Sequence, residues 1–481
     1  MASLALGLSA CATVGPDFKT PVLTPTPEGY AMAGEVAADA VRLDPQTRVA
    51  GPWWRAFGSE ALDQTVRLAL AQSPGVAEAK ATLERYQAEE QAAQGARRPS
   101  AQVEAKAQRQ KFNSRAFGFP GFPSRTFSLF SLGSSVSYDL DVFGGGRRRV
   151  EAASALTERA ARQADAAYLS LSGNVALQAM RMAGLQAEIA ALKRITDDDR
   201  ALLDLAQKSL ALGGVPRATV TLVEAQLAED EAIFPPLQRE YDAARHRLAL
   251  LAGQAPGAWA PPDFDLDQMS VPADVPVSLP SSLVRRRPDI LAAEADLHAA
   301  TAAVGVTIAD QYPDIRLSAN GALSALTPGS VFSKDSTGWN LLSGVAAPLF
   351  DGGVRKAKRK VAEAEARGAQ ARYQRTVLQA FTEVSDAMAA LSTDQQRLET
   401  LQRAVTATDQ QARDAVMARR LGSGTVLQAI QARRQLAQDR RTLAAARAQR
   451  LSDMVMLFAA SAADWRDPQT TGGAVGVSPG H

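Results

Sequence analysis

The chain has 481 residues, a formal net charge of +2 and a single cysteine, with 46% hydrophobic and 22% charged residues. This composition is ordinary for a folded protein. The near-neutral charge gives no indication of nucleic-acid binding, and one cysteine excludes an intramolecular disulfide. No apolar run reaches the roughly 18 residues of a membrane-spanning helix, so any membrane-spanning part would consist of strands.

The first residues have the pattern of a bacterial lipoprotein signal. The apolar stretch Leu4 to Ala10 ends in a small residue directly before Cys11. We predict a signal segment over 1–10 and lipidation of the Cys11 thiol; the alternative is a buried structural cysteine. No basic residue precedes the stretch, which departs from the usual signal peptide and suggests a translation start upstream of Met1.

Residues 11–60 are predicted to form an extended Pro-rich tether. The tether ends in the aromatic cluster Trp53-Trp54 with Phe57, which we expect to anchor it on the folded part. A helix is predicted from Asp63 to Arg97, interrupted or kinked near Pro74.

A first structural repeat is predicted over 61–252. After the helix, polar and apolar residues alternate over about 101–141, which indicates a β-hairpin. Such alternation is typical of an outer-membrane barrel strand, but a soluble hairpin gives it equally. A proline-free helix follows from Arg147 to Leu212, and a return helix follows the glycine-rich tip at about 212–216.

The long helix carries an apolar seam at alternating spacings of three and four residues, which predicts packing against other helices. The seam consists of Leu171, Val175, Met182, Leu185, Ile189 and Leu192. At 1.5 Å per residue the helix would be about 100 Å long, far beyond the usual globular helix. A helix of this length indicates an extended assembly.

The same plan occurs a second time over 281–460, after a Pro-rich linker at 253–280. The second β-hairpin is predicted at about 315–350 and the second tip at about 421–424. A Gly-rich disordered tail is predicted over 461–481. The predicted fold is therefore mainly α with a small β part, in two tandem repeats of helix, β-hairpin, long helix and return helix.

This plan requires an oligomer. Each repeat supplies two strands, and four strands cannot close a barrel, whereas the smallest membrane barrels have about eight. Open strand edges are not tolerated in lipid. Strands that span a membrane would therefore be shared among several chains, and the long helical seam also requires neighbours.

Several motifs in this order resemble those of the outer-membrane efflux proteins, the TolC-like channels. The resemblance is to the lipoprotein branch of the NodT/OprM type that serves RND efflux pumps, and it covers nearly the whole chain. The motifs are Cys11 to Phe18, Trp53-Trp54 with Phe57-Gly58, Ser137 to Gly144, Arg286 to Ile290 with Ala293-Glu294, Tyr312-Pro313, and Pro348 to Gly353.

The resemblance implies a homotrimer that forms a twelve-stranded outer-membrane β-barrel on a long periplasmic α-helical tunnel. It further implies a lipid anchor in the outer membrane, a periplasmic adaptor (membrane fusion protein) and an inner-membrane RND pump as partners. The channel would passively conduct drugs or other small molecules to the exterior, without a cofactor.

Two sets of site residues follow from the resemblance. The hairpin tips, which in the family close the aperture and touch the adaptor, are Leu212, Gly213, Gly214 and Val215, and Leu421, Gly422, Ser423 and Gly424. A gate ring could be formed by Asp409, Arg413, Asp414 and Arg420; a solvated helix face is the alternative. Family members often gate with acidic rings, whereas the Gly-Ser-Gly tip of this chain has no acid.

An enzyme is not expected, because no catalytic or metal-binding arrangement occurs. His246, His298 and His481 have no ligand partner at metal-binding spacing, and Asp197-Asp198-Asp199 falls within a long helix, where we expect it to be solvated. Two alternatives remain: a TolC-like channel for type I protein secretion, and a non-conducting periplasmic coiled-coil lipoprotein that serves as a scaffold. The predicted lipobox favours efflux over secretion, and the duplicated hairpins disfavour the scaffold.

Overall fold

The computed structural model describes residues 13–21, 30, 42–43, 52–113, 118, 121, 123, 125–270, 274–275 and 283–462. Cys11, the signal segment 1–10 and most of the tail lie outside the described residues, as do parts of the tether and linker. The described residues form two compact units. The first contains 13–21, 82–161 and 292–374, and the second contains most of the remainder.

The β part is one four-stranded antiparallel sheet in the first unit, with a two-residue parallel pair elsewhere. The strands are β1 (Arg42–Leu43), β2 (Ser100–Phe112), β3 (Arg125–Leu140), β4 (Asp274–Val275), β5 (Asp314–Ala325) and β6 (Thr337–Ala346). The order in the large sheet is β2-β3-β5-β6. The two predicted hairpins therefore join through β3 and β5 into one sheet.

Seven helices of more than ten residues account for most of the described chain. They are α1 (Glu60–Gln72), α2 (Pro74–Ala96), α3 (Gly145–Ala211), α4 (Arg217–Leu251), α5 (Pro288–Ala309), α6 (Val354–Arg420) and α7 (Val426–Ala460). Helix, hairpin, long helix and return helix thus occur in the same order twice. The prediction of a mainly helical chain with a small sheet is confirmed.

The two longest helices, α3 and α6, each have 67 residues. The predicted seam of α3 is buried along its whole length, from Leu171 to Leu192. The corresponding positions Val377, Val384 and Leu391 of α6 are also buried. A seam of this kind stabilises a long helix by packing, because helix propensity alone does not.

In the second unit, an aromatic cluster packs the segment directly before α1 against α7. Trp53, Trp54 and Phe57 form a short 3-10 helix and are fully buried. The Trp53 ring stacks on Phe458 of α7 with 5.7 Å between centroids. Each buried aromatic ring removes a large apolar area from water, so this cluster fixes the end of α7.

The segment 13–21 is fixed on the first unit by Arg148 of α3. The Arg148 side chain is almost completely buried and donates to the carbonyl oxygens of Val14 and Gly15 and to Asp17 at 2.7 Å. Phe18 stacks on His298, with 4.4 Å between ring centroids. A buried guanidinium needs such partners, so the chain that follows Cys11 is held by specific contacts.

One expectation about the helices was wrong. Asp197 is exposed, but Asp199 is buried at 3% exposure on the helix face that meets α4 and α7. Consecutive residues of a helix point about 100° apart, so one residue of an Asp-Asp-Asp run can face the core.

No helix in the described part of the chain is both long enough and apolar enough to cross a membrane.

Candidate functional site

The sheet has one apolar and one polar face. Apolar and polar side chains alternate along each strand, and the register of the paired strands brings like residues to the same face. Residues that pair across the strands on the apolar face include Val136 with Ala319, Leu132 with Leu323, and Ala319 with Leu341. The most exposed large side chains of this face are Val103, Trp339, Leu341 and Val345. Such a wide exposed apolar face is unusual on a soluble protein and is typical of a lipid- or partner-facing surface.

The opposite face carries a ladder of polar hydrogen bonds. Lys106 donates to Glu104 at 2.6 Å, Asn320 donates to Asn340 at 2.7 Å, and Arg316 donates to Asp139 at 2.6 Å. The hydroxyls of Ser100 and Ser137 are 2.8 Å apart. These groups are exposed, paired and of both charges, so the face is wettable and nearly neutral.

Each outer strand of the sheet leaves one edge unpaired among the described residues. β2 pairs only with β3, and β6 pairs only with β5. β2 is 13 residues long and β6 is 10, so both are long enough for a tilted membrane-spanning strand, which needs about 9–11 residues. Two long, exposed and unpaired edges are a strong template for strand pairing with another chain.

A carboxylate marks each transition from the sheet to a long helix. Asp141 accepts hydrogen bonds from the backbone N–H groups of Gly146 and Arg147, both at 2.8 Å. Asp351 accepts the equivalent bonds from Gly353 and Arg355 at 2.9 and 3.0 Å. The bonds from Arg355 and Gly353 lower the pKa of Asp351. Both acids therefore act as caps that satisfy the first free N–H groups of the helix.

The predicted tips are the turns that join α3 to α4 and α6 to α7. Gly213 and Gly422 have φ of 75° and 76°, which side chains disfavour. In the first turn Gly214 N–H donates to the carbonyl of Ser209 at 2.8 Å, and in the second Ser423 N–H donates to that of Ala418 at 3.0 Å. This is the Schellman arrangement, formed in the same way in both repeats.

Both tips present a leucine to solvent. Leu212 is 87% exposed and Leu421 is 75% exposed. Val215 and Gly424 are half-buried, and the remaining predicted tip residues, Gly213, Gly214, Gly422 and Ser423, are exposed. The structure thus places all eight residues at the two turns, with one exposed apolar side chain at each.

The helix ends next to the two tips differ in charge. We call residues 197–231 the acidic end and the equivalent residues 406–440 the basic end. The acidic end has eight acidic and three basic residues, and the basic end has three acidic and six basic residues. Sequence reasoning considered only part of the basic end, although both sets of charges can be read from the sequence.

The acidic end and the basic end contact each other within one chain through their opposite charges. Arg434 of the basic end is 3.0 Å from Asp230 of the acidic end, and Arg433 is 3.6 Å from Asp198. Asp230 is buried, and the Arg434 side chain is only 23% exposed. These ion pairs show that the two charged ends are complementary within one chain.

The four predicted gate residues are not all brought together within one chain. Asp409 binds both Arg413 and Arg440, the latter at 2.9 Å. Asp414 lies elsewhere and accepts a bond from Gln410 at 2.9 Å. Arg413 and Arg420 line a groove of about 640 Å³ together with Arg433 and Arg440. Arg440 was missed from the sequence because it lies on α7, 31 positions from its partner.

The features of the described residues set out above are surfaces: the two faces and edges of the sheet, and the charged helix ends with their tips. Within the described segments, no three His, Cys, Asp or Glu side chains are grouped as metal ligands. An open two-faced sheet and charged helical hairpins are elements of a conduit or an assembly.

A sequence profile described as "Outer membrane efflux protein" matches residues 65–254 and 279–463. The chain belongs to the outer membrane efflux protein family. The predicted family, the outer-membrane localisation and the role in efflux are confirmed at this level. The family and fold are those of efflux channels and not of known enzymes.

Individual members of the outer membrane efflux protein family match over most of the chain. The pyoverdine export outer membrane protein OpmQ of Pseudomonas putida is 30% identical over 403 residues, covering 82% of each chain. Nodulation protein T of Rhizobium leguminosarum bv. viciae is 27% identical over 467 residues, covering 95% of this chain and 91% of the relative.

The solved structure of the outer-membrane channel OprN has the same fold. It is 28% identical and has a TM-score of 0.84, covering 94% of this chain and all of OprN. VceC from Vibrio cholerae is 25% identical with a TM-score of 0.78, covering 86% of this chain and 99% of VceC. This chain is therefore an outer-membrane efflux channel protein.

Proposed function

We propose that three copies of this chain form one outer-membrane channel, which passively conducts drugs or other small molecules as the exit duct of a tripartite RND-type pump. The observation that carries this proposal is the open, two-faced sheet. An outward apolar face and an inward polar face are what a membrane barrel requires. One chain supplies four strands, so three chains would supply twelve.

Strand pairing between copies would remove both open edges. The β6 edge of one copy would pair with the β2 edge of the next, and three such pairings would close the ring. Every backbone group in the membrane would then be hydrogen-bonded, which lipid demands. The polar ladder with Asn320, Asn340 and Arg316 would line the lumen, and its balanced charges suit substrates of varied charge.

The helices would form a periplasmic tunnel in which acidic and basic ends alternate. Three copies of two hairpins give six ends, and alternation would place each acidic end beside a basic end of the next copy. The ion pairs of Arg434 and Arg433 within one chain support this, because the same residue types would meet at the interface. Alternation would also disfavour like-charged neighbours.

The exposed tips would dock a periplasmic adaptor, a membrane fusion protein, which links the channel to an inner-membrane RND pump. An exposed leucine at each tip, Leu212 and Leu421, offers an apolar contact on a turn that its own backbone hydrogen bonds hold in place. Asp409, Arg413, Asp414 and Arg420 would contribute to the gate once three copies assemble. Lipidation of Cys11 would hold the chain at the outer membrane.

The names of the relatives support a small-molecule cargo. OpmQ is named for pyoverdine export, and a 29% identical protein of Burkholderia cepacia is named for fusaric acid resistance. Because specificity would reside in the pump, this chain would serve as a passive duct.

Single-channel conductance in planar bilayers tests the proposal. Purified protein should give discrete openings, and double Glu substitution of Leu212 and Leu421 should leave conductance intact but abolish binding of the adaptor. Substitution of the lumen-facing Asn340 by Lys should shift ion selectivity towards anions, whereas Leu341→Lys on the lipid face should impair insertion. A protein that inserts but never conducts, even with its tips altered, would favour the scaffold.

A further inference from the structure

A buried pair of carboxyl groups lies within the first helical hairpin, formed by α3 and α4, where Arg434 of the second hairpin, formed by α6 and α7, contacts it. Asp199 of α3 and Asp230 of α4 are 3% and 6% exposed, and their side chains lie within hydrogen-bonding distance of each other. Arg434 of α7 contacts both oxygens of Asp230. Two buried acids therefore have one close guanidinium between them.

The hydrogen bonds of this cluster do not balance if both acids are ionised. Oδ2 of Asp199 is enclosed, and no N–H or O–H group of the described residues donates to it. A buried carboxylate oxygen without a donor is costly. A proton placed between Asp199 and Asp230 would supply the missing donor and remove one of the two negative charges.

The surrounding charges do not replace that proton. The groups that face the pair from α3, α4 and α7 are Asp198, Arg200, Glu231, Arg433 and Arg434. Arg433 is committed to Asp198, and Arg200 to Glu231 at 2.8 Å and to Asp197. Arg434 is thus the close cation of the pair, and burial together with Asp230 raises the pKa of Asp199 to about 7.

The pair lies beside the apolar contact that holds the same three helices together. Leu202 of α3, Val223 of α4 and Ile430 of α7 form one buried cluster, with Leu203 and Val426 packed against it. In sequence, the α3 and α4 members lie between the carboxyl pair and the first tip, and the α7 members lie between the second tip and Arg434. A change of charge in the pair therefore acts on the packing that fixes the hairpin ends.

We propose that Asp199 and Asp230 share one proton across the contact of α3 with α4, and that release of this proton to solvent loosens the joint of α3, α4 and α7 beside the tips. On release, two adjacent carboxylates face one guanidinium, and water must enter to solvate the extra charge. The joint is tight in mildly acidic medium and looser in alkaline medium.

The direction of this pH dependence follows from the number of protons that each state binds. The packed state holds the proton up to about pH 7, whereas an exposed aspartate releases it near its ordinary value of about 4. Between these values the packed state binds more protons than the loosened state, so rising pH favours loosening. The equilibrium shifts by at most about tenfold per pH unit in this window and levels off above it.

A second carboxyl pair provides an internal comparison. Asp394 of α6 and Asp453 of α7 are also buried and adjacent, and burial together with Asp453 raises the pKa of Asp394 to about 6. Gln449 donates to Asp453 at 3.1 Å. This pair lies within the second hairpin and further from its tip, and the cations that act on Asp394, Arg397 and Arg450, belong to that same hairpin. The second pair therefore differs from the first, whose cation Arg434 comes from the other hairpin.

Infrared difference spectroscopy of the full-length protein between pH 5.5 and 8.5 tests the proton directly. Wild type should show a carboxylic C=O band that disappears with a midpoint near pH 7. Asp199→Asn should remove that component, Asp394→Asn should remove only the component near pH 6, and exposed Asp197→Asn should change neither. Identical spectra for wild type and Asp199→Asn would overturn the proposal.

Hydrogen exchange tests the loosening. After correction for the intrinsic pH dependence of exchange, amides of α4 around Asp230 should exchange about tenfold faster at pH 8 than at pH 6 in wild type. Exchange should be nearly independent of pH in Asp199→Asn, whose neutral amide has the shape of the protonated acid. If Asp199→Asn does not fold, Asp199→Leu serves in its place. A wild-type protein without this dependence would refute the loosening, and neither measurement depends on conductance.

Discussion

The two hairpin ends of this chain share a turn geometry but differ in charge. Gly213 and Gly422 have nearly the same positive φ, and the same backbone hydrogen bonds close both turns. The acidic end nevertheless has an excess of carboxylates and the basic end an excess of arginines. The turn is constrained by backbone sterics in both repeats, whereas exposed side chains are free to diverge.

This difference makes the two ends complementary and not interchangeable. Arg434 already reaches Asp230 within one chain. Changes that remove the complementarity should therefore have larger effects than changes that affect one turn alone.

Loss of the Arg434 guanidinium should have the largest effect. Arg434→Leu would leave Asp230 and Asp199 buried without their close cation and should lower the free energy of unfolding by about 2 to 3 kcal/mol at pH 8. Thermal unfolding followed by circular dichroism measures the loss. The neighbouring Arg433→Leu, whose partner Asp198 is half exposed, is the control and should cost less than about 1 kcal/mol. Equal losses would show that burial is irrelevant.

Reversal of charge in the basic end should weaken the proposed trimer. Arg419→Glu with Arg420→Glu would replace attraction to the neighbouring acidic end by repulsion and should cost about 2 kcal/mol per interface at low salt. Analytical ultracentrifugation in detergent measures dissociation, and added salt should reduce the effect.

The matched control is the distant exposed pair Arg367→Glu with Arg375→Glu on the same helix. Restoration of assembly by Glu224→Arg with Glu229→Arg in the acidic end would establish the pairing of the two ends. Dissociation that is unaffected by either double change would contradict alternation of the ends.

Alanine at the tip glycines should destabilise both hairpins equally. Gly213→Ala and Gly422→Ala each place a Cβ at positive φ, which costs about 1 to 2 kcal/mol. Cβ atoms at these positions meet no other atom within 4 Å, so the cost is one of backbone conformation alone. Unfolding temperatures of the two variants should agree; a large difference would show that the turns are not equivalent.

The smallest effect is expected at the start of α7. Thr425 and Gln428 form a capping box, whereas Pro216 at the equivalent position of α4 has no capping side chain. Thr425→Ala should cost about 1 kcal/mol, and Thr425→Ser should cost little, because serine keeps the hydroxyl. Hydrogen exchange in the first turn of α7 measures the loss, and no change in exchange would show that the cap is dispensable.

Much of the fold could be predicted from local sequence. Proline and glycine positions mark the ends of the helices and the tips, and the seam from Leu171 to Leu192 shows which face of α3 is buried. Alternation of polar and apolar residues identifies both β-hairpins. These signals are local, and they act through sterics and burial over a few residues.

The charged contacts could not be predicted, because their partners are distant in the chain. Asp199 looked like one of three solvated acids, and its burial depends on Asp230 and on Arg434, which is 235 positions away. Arg440 was missed in the same way. The pairing of β3 with β5, which joins the two β-hairpins into one sheet, could not be predicted either. Alternation of polar and apolar residues identifies a strand but not the strand beside it.

Native mass spectrometry of the detergent-extracted particle tests the central claim most directly. If the open sheet is completed by other copies, the particle should contain three chains, each of about 50.9 kDa for the full sequence. Deletion of β6 should then abolish the trimer, because it removes the strand edge that joins the copies. A stable particle of one or two chains that still conducts would contradict the shared channel.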